Sequence, residues 1–253
     1  MLLSFRVCGS SSRRLGGDSR VAHVYKKELI AGVKVDGGVS AEVRTFLSIQ
    51  LFMPAARHFR DAARAIEEAV QKERALESRM CSLASVLSAV AYMESSVNDV
   101  YIRASGSDSL GNVPANVRAS LAKRWIKGGK KEYRAWPHKS DGVPEILVKY
   151  RDAARLLDGK EHADLGGHFN DARDLIWLRN ALLHYRATWP SELPERDVPF
   201  FARLSTKFAP NPFFPEPHNA FWPKGVLGHG CANWAVETSE GLVRWIEGLI
   251  SKP

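Results

Sequence analysis

The sequence predicts an all-α fold, a single bundle of five to seven helices. Two observations carry that expectation. Apolar residues recur at spacings of three and four over long stretches, and those stretches are rich in the helix formers Ala, Leu, Glu, Arg and Gln. With 253 residues, 45% hydrophobic and 25% charged, the chain is long enough for one large core. That composition excludes a disordered or collagen-like chain.

Residues 1–43 read as a leader and a short extended segment. VAHVY alternates weakly, and Gly32, Gly37 and Gly38 break the chain after it, so a strand or small hairpin is expected between Val21 and Val43. Residues 44–253 read as the helical domain. Pro54 suits a first helical turn, and helix formers run from there to about Ser78. A second helix is expected from Met80 to about Arg103, with Leu83, Val86, Leu87, Val90, Val97 and Tyr101 on one face. After SGSDSLGN, shorter helices are expected at Ala115–Lys127, Pro144–Leu157 and Phe169–Arg186. Residues 189–223 hold eight of the 13 prolines and read as a packed loop without regular helix. A last helix is expected over Ala232–Ile250, with Trp234, Val236, Leu242, Trp245, Ile246 and Leu249 facing the core.

Charge narrows the function. Thirty-six Lys and Arg against 28 Asp and Glu leave a net charge of +8, which points to a polyanion such as RNA. Between Asn112 and Ser140 lie eight basic residues and one acid, with Trp125, Tyr133 and Trp136 among them. Lys127, Lys130, Lys131 and Arg134 are candidate RNA contacts, since single strands take basic groups and stacking rings. The alternative is a solvated loop whose rings dock on the bundle. The longest nearly uncharged stretch, Met80–Met93, is shorter than the ~20 residues a membrane span needs, so no membrane partner is expected.

Cys8, Cys81 and Cys231 lie far apart without a CxxC spacing, and His162, His168 and His218 complete no ligand pattern. No metal and no cofactor are expected, and a reducing cytoplasm fits the cysteines. Cys231 sits just before the last helix, where a helix dipole can lower a thiol pKa, but cysteine catalysis is not expected.

The informative hexad is Arg179-Asn180-Ala181-Leu182-Leu183-His184, an R-N-x-x-x-H pattern on a helix. Asn180 and His184 are one turn apart and share a face, whereas Arg179 lies about 140° around the axis from His184. Histidine exchanges protons near neutral pH, and arginine forks onto phosphate oxygens. Asn180 can orient His184 or donate to phosphate. Arg, Asn and His on a helix can equally form a solvated face. Glu94 falls among Leu87, Val90, Val97 and Tyr101, so it is expected inside an apolar stripe, paired with Arg179 or another arginine, with Asn98 one turn on.

This hexad resembles the R-x(4–6)-H motif of the HEPN superfamily of all-α domains. SAVAYMESSVNDVY (88–101) is similar to the early helix of such domains, and CANWAVETSEGLVRWI (231–246) to their closing helix. The resemblance covers residues 48–250. It implies metal-independent ribonuclease chemistry at a symmetric homodimer interface, with Arg179, Asn180 and His184 catalytic and Glu94 and Asn98 supporting them. It also implies a role in phage defence or a toxin system, with an antitoxin or regulatory protein as partner. The alternative is a non-catalytic helical module that binds RNA, a nucleotide or a partner protein.

Overall fold

A computed structural model describes residues 41–106, 110–128, 143–159, 167–183, 198–214 and 225–252. Among these the chain forms seven α-helices and no strand. They are α1 (Ala41–Glu68), α2 (Ala75–Ser105), α3 (Ala115–Gly128), α4 (Glu145–Asp158), α5 (Gly167–Leu183), α6 (Val198–Ser205) and α7 (His229–Ile250). Residues 40–253 form one compact unit. The expected extended segment lies outside the described residues up to position 40, and its last three residues, 41–43, are helical.

α2 is the hub, packed against α1, α3, α4, α5 and α7. Its face toward α1 is built of small residues. Ser78, Ser82, Ser85 and Ala89 are fully buried, as are Ala56 and Ala63 of α1, and Ser85 Oγ donates to the Ala56 carbonyl at 2.9 Å. Small side chains on both surfaces let the two backbones approach closely. The residues 72–105 are, by length and composition, apolar enough to cross a membrane. The stretch expected to be too short for a span is therefore part of a longer helix, and in this fold that helix sits at the centre of the bundle.

Two buried tyrosines fasten α4 to α2 reciprocally. Tyr101 of α2 donates to the Lys149 carbonyl at 2.9 Å, and Tyr150 of α4 donates to the Met93 carbonyl at 2.9 Å. A buried hydroxyl without an acceptor costs about 1–3 kcal/mol, so each bond holds the register of its helix. Trp125 of α3 stacks on Tyr101 with ring centroids 6.4 Å apart. α7 closes the core with Trp234, Val236, Leu242, Ile246 and Leu249, all buried.

Three expectations need correction. Pro54 lies inside α1 and does not begin it. Pro54 and Gln50 are both exposed, so the carbonyl that loses its intrahelical donor faces water. The break after α1 comes at residues 69–74, ahead of Ser78. There the Val70 N–H bonds to the Glu67 carbonyl and the Gln71 N–H to the Ile66 carbonyl, with Val70 at φ 53°. This is a Schellman closure with valine at the position glycine usually takes. Finally, the proline-rich stretch contains α6. Pro199 sits in its first turn, where no backbone donor is needed, and Phe200 and Leu204 enter the core.

Candidate functional site

Arg179 and Asn180 lie near the C-terminal end of α5, and both are half-buried. They point to different sides. Arg179 falls within about 40° of Ala172 and Leu175, which are fully buried, whereas Asn180 is about 100° away from it. Asn180 instead lies about 60° from Trp177, which is 38% exposed. The Nε of Arg179 is shut off from solvent and has no hydrogen-bond partner among the described residues. His184 lies outside the described residues, as do Lys130, Lys131 and Arg134. Lys127 falls in the last turn of α3, and its side chain is not described.

Glu94 is corrected. It is exposed and forms no ion pair among the described residues. The core side of α2 is made by Val86, Val90, Met93, Val97, Val100 and Tyr101, all buried. Glu94 instead aligns within about 20° of Leu87, which is only half-buried. The apolar stripe read from the sequence merged two flanks of one helix. Asn98 is half-buried and accepts from Lys149 Nζ at 3.1 Å; Lys149, itself buried, also lies 3.6 Å from Glu145. Asn98 therefore serves an α2–α4 contact.

The helix end does not activate Cys231. The residue is fully buried, and burial pushes its thiol well above the ordinary value, overriding any help from the helix end. A thiol held protonated is a poor nucleophile. Among the described residues no three His, Cys, Asp or Glu side chains gather as metal ligands would.

Two polar clusters escaped the sequence reading. Asp174 of α5 is 2% exposed and lies 3.2 Å from Arg203 and 3.6 Å from Lys207; Lys207 also pairs with Asp171. An aspartate between Ala172 and Leu175 on a buried helix requires a cation, and that was the available signal. The second cluster joins α1, α2 and α7. One carboxylate oxygen of Glu67 accepts from the His229 backbone N–H at 2.8 Å and from Ser78 Oγ at 2.7 Å. His229 Nε2 accepts from Arg64 Nε at 2.9 Å, which places its proton on Nδ1. Burial first, and then the Arg64 charge, lower the His229 pKa from 6.5. Gly230 is required here, because a Cβ would come within 2.7 Å of the Ala209 carbonyl oxygen. No local sequence signal links Glu67 to a residue so far along the chain.

The sequence matches no family model, no curated protein and no solved structure.

Proposed function

We propose that the chain is a metal-independent endoribonuclease of the HEPN type. It acts as a cytoplasmic homodimer in phage defence or a toxin system, under an antitoxin or regulatory protein. His184 takes the ribose 2′-OH proton, the 2′-oxygen attacks phosphorus, and the bond to the 5′-oxygen breaks as that oxygen is protonated. Arg179 offsets the charge on the phosphoryl oxygens. The products are a 2′,3′-cyclic phosphate and a 5′-hydroxyl.

The observation that supports this reading most is Arg179 itself. It stands half-buried on α5, five positions before a histidine. A guanidinium forks onto phosphate oxygens and a histidine moves the proton, which is the pair this chemistry needs. The test is cleavage of single-stranded RNA in EDTA, with end-group analysis of the products. Cutting that yields cyclic phosphate ends and disappears in a helical His184→Ala protein supports the reading. Undiminished cutting by that variant removes it.

A second reading has its own observation. Arg179 and Asn180 point to different sides of α5 and Glu94 stands in solvent, so these three do not gather among the described residues. That favours a non-catalytic helical module binding RNA, a nucleotide or a partner protein. RNA retained without cleavage in the same assay supports it.

A further inference from the structure

One strip of α5 stays outside the core, and Trp177 stands at its middle. Among the described side chains it is the one Phe, Tyr or Trp that the bundle leaves exposed. Its neighbours hold it in place. Phe200 of α6, itself buried, packs beside it at 67° with ring centroids 6.0 Å apart. Arg173, one turn earlier, sets its guanidinium carbon 5.7 Å from the centre of the indole. A ring already positioned by a buried neighbour loses little freedom when a ligand arrives.

Around the helix axis, Asn170, Arg173 and Ala181 lie within about 40° of Trp177, and Asn180 within about 60°. The only carboxylate of α5 as near in angle is Asp174, which is buried and paired with Arg203 and Lys207. Asp171 lies about 120° away and pairs with Lys207 too. The strip therefore offers a ring, a cation and two side-chain amides, and no exposed carboxylate. A base stacks on such a ring, a phosphate pairs with the guanidinium, and amides read base edges. The net charge of +8 favours the same polyanionic ligand. An apolar partner would instead strand Arg173 and both asparagines without hydrogen-bond partners.

We infer that Trp177 is a base-stacking platform for single-stranded RNA, with Arg173 on the adjoining phosphate and Asn180 at the base edge. The inference rests on the RNA-binding part of the reading above and not on cleavage. Arg179 turns to the other side of α5, so the stacked nucleotide neighbours the one whose phosphate Arg179 meets.

Fluorescence anisotropy of a short labelled 2′-O-methyl oligoadenylate, titrated with the full chain, tests it. Trp177→Phe keeps the affinity within about threefold, because a ring remains. Trp177→Leu fills the space beside Phe200 without offering a ring, and weakens binding about tenfold to 100-fold. Arg173→Gln lowers the slope of log affinity against log salt by about 0.7, whereas Trp177→Leu leaves that slope unchanged. Circular dichroism and thermal melting confirm that each variant is folded. Three results overturn the inference: a wild type that does not bind the strand, a Trp177→Leu protein that binds it as the wild type does, or a loss of affinity that sedimentation traces to a dissociated dimer. The strand has no 2′-OH to attack, so binding is read apart from chemistry. A chain that cuts RNA but binds this strand without regard to Trp177 keeps the ribonuclease reading and loses this one. A chain that never cuts but stacks the strand on Trp177 does the reverse.

Discussion

Arg64 and His229 are 165 positions apart in the chain, and a 2.9 Å bond joins them. Arg179 and His184 are five positions apart, yet Arg179 turns toward the bundle and its Nε finds no acceptor among the described residues. The distant pair is closed by tertiary packing, with Glu67 capping α7 beside it. For the near pair only the sequence speaks, and on an ideal helix positions five apart are separated by about 140°. Closeness along a helix therefore does not make a partnership. An arginine with its acceptor supplied, as Arg64 has, supports the fold.

Substituting both arginines tests that contrast most sharply. On the proposed function, Arg179→Ala lowers RNA cleavage by about two orders of magnitude or more with helicity retained. Arg64→Ala leaves the cleavage rate of the folded protein near that of the wild type and lowers its stability instead. Equal losses of activity in the two variants, measured as cleavage rates alongside urea midpoints, would dissolve the distinction.

The next largest effect concerns the closed pair. Glu67→Ala strands the His229 backbone N–H and the Ser78 hydroxyl, so unfolding becomes easier by about 1–3 kcal/mol. Urea denaturation measures it, and a change within error would mean that water replaces the carboxylate at no cost.

Acidification acts on the same cluster with a definite sign. The His229 pKa in the folded chain is below its ordinary 6.5, through burial first and Arg64 second, against smaller opposing effects of Glu67 and Glu68. The unfolded chain therefore binds the proton more readily. The stabilisation is complete above about pH 6.5 and is lost as pH falls through the folded value. Urea midpoints at pH 7.5 and 5.5 should differ more in the wild type than in His229→Gln. The same slope in both proteins would place the sensitivity elsewhere.

The smallest effect is a gain at the turn after Glu67. Val70→Gly relieves a β-branched residue held at φ 53° and exposed to solvent. Less the entropy cost of glycine, it stabilises the chain by about 0.5–1 kcal/mol. Thermal melting of the variant shows whether Glu67 is held in place at the expense of local strain.

Helix type and rough position were legible because both depend on short-range periodicity and propensity. α3 begins at the expected Ala115, and α4 runs from Glu145 to Asp158 against an expected Pro144–Leu157. Boundaries set by longer reach were not legible. α1 runs through Pro54 because the affected carbonyl faces water, and α6 forms among prolines because Phe200 and Leu204 find a core to enter.

The same division governs the site. The sequence alone determined the order of Arg179, Asn180 and His184, that the chain is basic, and that α2 is rich in apolar residues. Tertiary structure decided which flank of α2 the neighbouring helices cover, and so left Glu94 and Leu76 in solvent while burying Met93. It also joined Glu67 to His229 and Asp174 to Arg203. The physical reason is that periodicity fixes angles around one helix axis, whereas burial and pairing depend on which surface another helix brings to each angle.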